Sequence, residues 1–251
     1  MNKFNSKTNI EDSHADSLLE NRGNLLDSVN KVLKKLTLVK DKERSLFLAN
    51  KLFAEIIYDV AYLEGSPYTF PEVQTLLEGI TVGGHKLDDE KLIINQSNSW
   101  KLLLEMVKKN EFTISKEVVL KLHTKVAKEE ALKWGSFRDG QVYIAGTEWM
   151  PPAHEALDAI FKSVTKDIET IANPYEKGIC LFLYMARNQF FYDGNKRTGR
   201  LMMNGIILSA GYEAISIPAK SKQAFNEKMI RFYNSGDTIE MLEFILSCSR
   251  V

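Results

Sequence analysis

Arg187-Asn-Gln-Phe-Phe-Tyr-Asp-Gly-Asn-Lys-Arg-Thr-Gly-Arg200 is a short polar loop set between two apolar helical patterns. The spacing of apolar residues on each side predicts a helix before the loop and another after it. The first turn of the second helix presents free N–H groups and the positive end of the helix dipole, which favour an anion. Gly194 lets the backbone approach a ligand closely. This stretch therefore predicts an anion-binding helix start.

The charged residues of the same stretch point to a phosphorylated ligand. Lys196, Arg197 and Arg200 supply three cations, and the two arginines lie three positions apart, on one side of the first helical turn. Asp193 is the one carboxylate there, so it could pair with an arginine or hold a hard cation such as Mg²⁺. Together these groups suit a polyphosphate with its metal ion.

The composition of the chain is that of an ordinary soluble protein. Of its 251 residues, 44% are apolar and 26% are charged, and Lys+Arg and Asp+Glu both number 33, so the net charge is zero. This balance argues against a broad nucleic-acid or membrane surface. There is no apolar run of the ~20 residues that a membrane span needs, and no secretory leader pattern. We expect a cytoplasmic protein, with Cys180 and Cys248 as reduced core residues.

The remaining patterns are mostly helical. Residues 1–15 are polar, 16–36 have amphipathic spacing, and 42–63 predict one long helix. Thr69-x-x-Glu72 predicts a capping box that starts a further helix near Phe70. Residues 135–152 are the clearest exception, because they contain a short segment with strand character followed by a turn.

Residues 191–200 resemble the signature of the Fic family, His-Pro-Phe-x-Asp/Glu-Gly-Asn-Gly/Lys-Arg-x-x-Arg, at ten consecutive positions. The resemblance implies transfer of AMP from ATP to a protein hydroxyl, with Asp193 holding Mg²⁺. Gln189 replaces the histidine that takes the proton of the target hydroxyl, and Phe190 replaces the proline. An amide does not titrate, so Gln189 cannot act as a general base. The resemblance assigns phosphate binding to Gly194, Asn195, Lys196, Arg197 and Arg200.

A second resemblance concerns Glu64-Gly65, which precedes the Thr69 capping box. Many Fic proteins carry Ser/Thr-x-x-x-Glu-Gly/Asn at this place, and the glutamate pairs with the second motif arginine and obstructs ATP binding. By this resemblance Glu64 would pair with Arg200 and be autoinhibitory. Val60 stands where the family has Ser/Thr, so the anchoring of the inhibitory helix is open. Glu78-Gly79 is a competing pair without the helix start after it.

The resemblance also implies the architecture: an all-α, Fic-type (Fido) helical bundle with one small β-hairpin flap. Residues 1–112 would form an N-terminal helical segment carrying the inhibitory helix, and 113–251 the Fic core, as one globular unit. The flap would dock an extended segment of a target protein, one with an exposed hydroxyl, on Val142, Tyr143 and Ile144. A plain connector with one packed face is the alternative for these residues.

Three interpretations of function stay open. The first is an enzyme that transfers AMP or another phosphate-containing group slowly, since loss of a general base lowers the rate ~10²–10⁴-fold while the electrostatic cradle is retained. The second is a catalytically inactive pseudoenzyme that binds the nucleotide or docks a protein. The third is a helical scaffold without a ligand. Lys196, where glycine is commoner, could alter the pose of the phosphates. A homodimer is among the oligomeric states that the sequence leaves open.

Overall fold

A computed structural model describes residues 39–249. This part of the chain is helical: it contains ten α-helices and two single 3₁₀ turns, and none of its residues is assigned to a strand. The α-helices are α1 (Lys42–Lys51), α2 (Phe53–Leu63), α3 (Phe70–Leu77), α4 (Leu87–Lys108), α5 (Lys116–Val126), α6 (Leu157–Glu169), α7 (Pro174–Asn188), α8 (Asn195–Ser209), α9 (Lys222–Ser235) and α10 (Ile239–Ser247). The 3₁₀ turns are His154–Ala156 and Ala219–Ser221. The polar segment 1–15 and the helix predicted for 16–36 lie outside the described residues.

The centre of the fold is the pair α7 and α8, which pack along each other on either side of the loop at 189–194. Both helices are buried on nearly every face. Other elements therefore have to surround both helices. Here α4 and α5 pack on α8, while α6 and α10 pack on α7. The start of α8 is thereby placed deep in the bundle.

The helix predicted for residues 42–63 is divided in two at Leu52. Leu52 has φ −91° and ψ 10°, outside the regular helical values, although its N–H still donates to the Leu48 carbonyl at 2.9 Å. Tertiary contacts hold α1 separately from α2. The Asp41 N–H and the Ser45 hydroxyl both donate to the Gly211 carbonyl, at 2.8 and 3.0 Å, and fix α1 against the end of α8. Leucine is a good helix former, so local propensity alone predicts continuity.

Helix α2 is anchored separately, through the buried carboxylate of Asp59. The Ser216 hydroxyl donates to its Oδ2 and the Ala219 N–H donates to its Oδ1, each at 2.8 Å. At its C-terminal end Gly65 adopts φ 98°, and the Gly65 and Ser66 N–H groups return to the carbonyls of Tyr62 and Ala61. This is a Schellman ending, which requires a left-handed residue and therefore favours glycine.

The predicted β-hairpin at Val142, Tyr143 and Ile144 is not seen; residues 141–144 have no regular secondary structure. The returning arm contains Pro151 and Pro152, which have no N–H to donate to a ladder. Side chains hold the two arms instead. Gln141 donates through Nε2 to the Pro151 carbonyl at 3.0 Å, and the buried Arg138 donates to the carbonyls of Gly140 and Pro152. The expectation of an all-α fold is confirmed for the described residues, and the hairpin within it was wrong.

Two smaller expectations concern membrane spans and cysteines. Within residues 39–249 no helix combines the length and the apolar character that crossing a membrane requires. Cys180 is buried in α7 and Cys248 is partly buried at the end of α10, and no disulfide joins them. Burial raises the pKa of Cys248 to about 11, so this thiol stays protonated and unreactive at neutral pH.

Candidate functional site

The start of α8 is shaped by Gly194 and Asn195. Gly194 is the N-cap with φ 74°, and a Cβ built on it would lie 3.1 Å from Val126 Cγ1 of α5. Both the backbone conformation and the close neighbour therefore require glycine. The Asn195 side chain closes the loop, because its Oδ1 accepts from the Phe191 N–H at 2.9 Å and its Nδ2 donates to the Phe191 carbonyl at 2.8 Å. Asn195 thus orients the loop by hydrogen bonds within it.

His123 of α5 supports the loop from behind. Its ring is stacked on Phe191, with centroids 3.6 Å apart and planes 9° apart. The Gly135 N–H donates to Nδ1 at 3.1 Å, so the ring proton is on Nε2, which lies 3.0 Å from the Asp193 carbonyl and donates to it. Burial lowers the pKa of His123 to about 4, although the bond to Asp193 favours the charged form. The imidazole is neutral at pH 7, and both nitrogens are occupied.

Arg197 is buried in an ion-pair network rather than exposed to a ligand. Its side chain is 3% exposed, and its Nη1 donates to Glu130 Oε2 at 2.7 Å. Its Nη2 lies 3.2 Å from Asp193 Oδ2. Asn95 of α4 extends the network, because its Nδ2 donates to Glu130 Oε1 at 2.6 Å. The positive charge of Arg197 is thus balanced within the protein, and the residue ties the loop to the Glu130 segment.

Arg200 and Lys196 face a carboxylate that comes from α2. Arg200 Nη2 donates to Glu64 Oε1 at 2.7 Å, and Lys196 Nζ lies 3.6 Å from Glu64 Oε2. The contact between Glu64 and Arg200 is the one that the resemblance implies; the alternative residue, Glu78, is at the C-cap of α3. This contact joins Glu64 to Arg200, which lies 136 positions further along the chain. Glu64 is the carboxylate that lies between the two cations of the helix start.

The charge of Glu64 is strongly stabilised. Burial by itself would raise the pKa of this carboxyl, but the positive charges of Arg200, Lys196 and Arg197, with the hydrogen bond from Arg200, outweigh it and lower the pKa to about 2. Glu64 is therefore ionised throughout the physiological range. Its carboxylate neutralises the cationic site as an anionic ligand would.

Gln189, at the position of the family's base, is the C-cap of α7 with φ 49° and ψ 64°. Its Nε2 donates to the Ala186 carbonyl, and its Oε1 accepts from Asn195 Nδ2 at 2.9 Å. Arg138 holds the left-handed backbone here, because its Nε donates to the Gln189 carbonyl at 2.6 Å. Both ends of the amide are engaged in the protein, and neither can take a proton.

Asp193 is the most exposed of the charged motif residues, with a side chain that is 60% accessible. Its Oδ1 accepts from the Gly194 N–H, and its Oδ2 faces Arg197. Among residues 39–249 no group of three or more His, Cys, Asp or Glu side chains is arranged to hold a metal ion. An ion at Asp193 would thus have one protein carboxylate and would need ligands from phosphates and water, a set that Mg²⁺ commonly uses.

The segment proposed to dock a target lies on the surface. Tyr143 is 74% exposed. The chain beyond it is fixed, since the Trp149 indole donates to the Arg187 carbonyl at 3.0 Å and the Arg187 guanidinium lies 3.6 Å from the Trp149 ring centroid. The Glu148 N–H also donates to Asn234 Oδ1 at 2.9 Å. A surface segment without regular secondary structure is therefore held in place by anchored flanks.

The structure adds supporting residues that the sequence did not single out. Glu130 carries no signal, because it follows another glutamate in a charged stretch. Arg138 lies far from the motif in sequence and reaches it only through the fold. His123 is an isolated histidine in the sequence, and only the fold shows that it is packed behind the loop and supports the Asp193 carbonyl.

Fold and site together define a helical protein organised around a cationic helix start. Residues 113–207 match the sequence model of the Fic/DOC family. The matched region runs from just before α5 to the greater part of α8.

Curated relatives agree with this family. The chain is 25% identical over 232 residues to the protein adenylyltransferase Fic of Drosophila ananassae and 26% identical over 233 residues to that of Drosophila erecta. Each match covers 89% of this chain and 46% of the relative, so the chain spans less than half the length of these proteins.

Solved structures share the fold. Fic-1 of C. elegans superposes with a TM-score of 0.73 at 19% identity, covering 97% of this chain and 75% of that one. A Fic-domain signalling protein of Bacteroides thetaiotaomicron has a TM-score of 0.68 at 18% identity, with 91% and 93% covered. At these identities the likeness concerns the fold alone.

Proposed function

We propose that this chain is a Fic-type nucleotide-binding protein, related to the protein adenylyltransferases, in which transfer of AMP or a related phosphate-containing group from ATP to a protein hydroxyl is weak or lost. The observation that carries the proposal is the position of Glu64. Its carboxylate lies 2.7 Å from Arg200 Nη2 and 3.6 Å from Lys196 Nζ, at the start of α8. A buried cationic site occupied by the protein's own carboxylate is suited to phosphate once that carboxylate leaves.

In this proposal the phosphates lie over the first turn of α8. Gly194 permits close approach, the first-turn N–H groups lack intrahelical partners, and Lys196 and Arg200 supply charge. Asn195 and Arg197 act by orienting the loop, as their hydrogen bonds within the protein support. Glu64 would compete with the terminal phosphate for Arg200, and this competition is the proposed autoinhibition.

Asp193 is the proposed ligand of a Mg²⁺ ion that arrives with the nucleotide. When bound, such an ion would neutralise charge on the phosphates. The exposed carboxylate fits this role, because it can reach a ligand at the surface of the loop. Its present partner Arg197 keeps the Glu130 ion pair if Asp193 turns toward the metal.

We propose the surface segment Val142, Tyr143 and Ile144, of which Tyr143 is exposed, as the docking place of a target protein that carries the acceptor hydroxyl. The anchored flanks at Trp149 and Arg138 support this role without a hairpin. A peptide that paired with the backbone of this segment would displace the hydrogen bonds that the Val142 and Ile144 carbonyls accept from Gln141 and Thr147. We also propose that residues 1–112 are the regulatory segment and 113–251 the core. The contact of Glu64 in α2 with α8 supports this division.

The second candidate is an inactive pseudoenzyme that binds a nucleotide or docks a protein. Its support is the state of the groups near the base position. Gln189 has its amide engaged at both ends, and neutral His123 has both nitrogens in hydrogen bonds. Neither can accept a proton from a hydroxyl in this arrangement.

The test compares wild type, Gln189→His, Glu64→Gly and the double variant after incubation with Mg-ATP, by intact mass spectrometry and by calorimetry of nucleotide binding. We expect Glu64→Gly to raise nucleotide affinity at least 10-fold, because Arg200 is released. We expect only the double variant to gain the mass of AMP readily. A gain of AMP or phosphate by wild type would instead establish an active enzyme with another base.

Glu78→Gly is the matched control for Glu64→Gly. Glu78 is also the C-cap of a helix, with φ −78° and ψ −2°, and it is likewise followed by a glycine of positive φ, Gly79. The control therefore reproduces the backbone change without touching the cationic site. If neither variant nor wild type binds nucleotide, the proposed function is wrong and the helical scaffold is the remaining interpretation.

A further inference from the structure

A small cavity lies under the Glu64 ion pair, between α2, α4 and α8. Its volume is about 20 Å³. Its walls include Val60 and Leu63 of α2, Gln96 and Trp100 of α4, and Arg200 and Leu201 of α8. Three of these residues carry polar side-chain atoms, although most of the wall is apolar. Such a mixed cavity differs from the dry cavities that purely apolar residues enclose.

Four buried side-chain nitrogens of the wall residues have no hydrogen-bond partner among the described residues, whereas Arg197, Asn204 and Ser216 of the same wall are hydrogen-bonded. They are Gln96 Nε2, Trp100 Nε1, and Nε and Nη1 of Arg200. All are N–H donors, and Gln96 and Trp100 are each only 3% exposed. A buried donor without an acceptor costs about 1–3 kcal/mol. Several such donors around one space indicate that an acceptor belongs in it.

Gln96 and Trp100 are arranged to share that acceptor. They lie four positions apart in α4, so their side chains project from the same face of the helix. Arg200 already donates to Glu64 through Nη2 and has that strong partner. Gln96 Nε2 and Trp100 Nε1 are therefore the two donors that most need an acceptor, and a single oxygen with two lone pairs can serve both.

Size and charge select the occupant. A cavity needs about 10–15 Å³ to hold one water molecule, so about 20 Å³ admits one and not a polyatomic anion. The cations nearby are already balanced, because three carboxylates pair with them. The cations are Lys196, Arg197 and Arg200, and the carboxylates are Glu64, Glu130 and Asp193. An additional buried anion would be uncompensated, whereas a water molecule would not.

We propose that this cavity binds one internal water molecule, held by Trp100 Nε1 and Gln96 Nε2. The site lies against Val60, one turn before Glu64 on α2. The water fills the space between the Glu64-bearing helix and α4, where a valine has no hydrogen bond to offer. It is a structural ligand of the α2–α4–α8 junction, and this assignment does not depend on nucleotide binding.

The indole N–H of Trp100 reports on the site directly. In the full-length, ¹⁵N-labelled protein the three tryptophan indoles give three resonances, assigned by Trp→Phe variants, and their cross-relaxation with water is measured. We expect Trp100 to show a cross-peak with the sign of a long-lived bound water. Trp149 is the matched control without a water, because its indole donates to the Arg187 carbonyl. Trp134 is 41% exposed and reports ordinary solvent.

Val60→Thr tests the site through an isosteric change. The new hydroxyl can accept from the cavity donors, so we expect the Trp100 resonance to shift and its water cross-peak to weaken, with the urea midpoint unchanged or raised. Val164→Thr on α6 puts the same hydroxyl at a buried helical position outside this cavity, and we expect it to lower the midpoint.

Two outcomes would overturn the proposal. Absence of the Trp100 cross-peak in wild type, with Val60→Thr as destabilising as Val164→Thr, means that the cavity is dry. A Trp100 resonance that moves when chloride is replaced by gluconate, or when bromide is added, means that the occupant is a halide ion and not water.

Discussion

At the scale of single residues, His123 has an unusual position for a histidine near a reactive motif. It is fully buried, neutral, and bonded through both nitrogens to the backbone of two different segments. This arrangement makes it a positioning residue of the loop: it fixes the Asp193 carbonyl and stacks under Phe191. Because both of its nitrogens are engaged, His123 cannot replace the histidine that the Fic family has at the position of Gln189.

We predict that His123→Phe keeps the stacking on Phe191 but loses both hydrogen bonds. The free energy of unfolding at pH 7 should fall by about 1–3 kcal/mol, since the Gly135 N–H loses its partner. Nucleotide affinity should fall about 10-fold or more, because the loop is no longer fixed. Denaturation in urea and calorimetry would measure the two effects.

The pH dependence of stability separates this role from simple packing. In the unfolded chain His123 takes up a proton near pH 6.5, whereas burial holds the folded pKa at about 4. The unfolded state thus binds more protons between these values, and stability falls as the pH is lowered through that window. The His123→Phe variant should not show this fall in stability between pH 6.5 and about 4. The control His154→Phe, at a partly exposed histidine away from the loop, should still show the fall in stability that His123 causes.

At the scale of elements, the end of α2 determines where Glu64 lies. The Schellman ending at Gly65, with φ 98°, turns the chain directly after the carboxylate. Any L-residue with a side chain is strained in this conformation. The open space around Gly65, with Lys222 Nζ as its neighbour at 3.9 Å, means that the strain comes from the backbone and not from a clash.

We predict that Gly65→Ala destabilises the protein by about 1 kcal/mol and loosens the last turn of α2. Nucleotide should then bind more tightly than in wild type, because Glu64 competes less well for Arg200. Gly83→Ala is the control, since Gly83 has no positive φ and no atom within 4 Å of the added Cβ. If Gly65→Ala leaves nucleotide affinity unchanged, the ending of α2 does not control the proposed inhibition by Glu64.

The elements also indicate what sequence can predict. The helix start at Gly194 was predictable because its residues are consecutive, and the Thr69 capping box is confirmed. The break at Leu52 was not, since leucine favours a continuous helix and the separate anchors of α1 and α2 appear only in the fold. Val142 to Ile144 have local β-propensity, yet the arm opposite them contains two prolines, which oppose a ladder.

The residues that meet the motif from distant positions in the chain were harder still to predict from the sequence. Glu64 could be matched to Arg200 only through a family resemblance, since 136 positions separate them. Glu130 and Arg138 became visible only when the fold brought them to the motif. Periodicity identifies a helix face, but it does not identify which distant side chain meets that face.

At the scale of the whole molecule, Glu64 links the N-terminal helices to the core. Its pKa is lowered to about 2, whereas in the unfolded chain the group titrates near 4.5. A difference of this size corresponds to on the order of 3 kcal/mol. Because the folded pKa is lowered, this stability is present above about pH 4.5 and is lost as the pH falls toward 2.

We predict that Glu64→Gln is less stable than wild type at pH 7, because Arg200 is left without its buried partner. The difference in the free energy of unfolding between the two proteins should narrow as the pH falls from 6 to 2, because the wild-type carboxyl becomes protonated. Chemical denaturation of both proteins across this pH range measures the difference. Glu78→Gln, at the corresponding cap of α3, should follow wild type throughout; a constant gap for Glu64→Gln would contradict the lowered pKa.

The anchoring of Asp59 has a consequence for how Glu64 could be released. Asp59 is bonded to Ser216 and Ala219 and fixes the body of α2 to the core. Only the turn after it is left to carry Glu64, and the Glu64 N–H bond to the Val60 carbonyl is long, at 3.3 Å. If Glu64 inhibits nucleotide binding as proposed, its release needs one helical turn to fray rather than a whole helix to swing aside. The proposed inhibition is then a local order–disorder equilibrium, and its set point can be tuned by substitutions confined to residues 60–64.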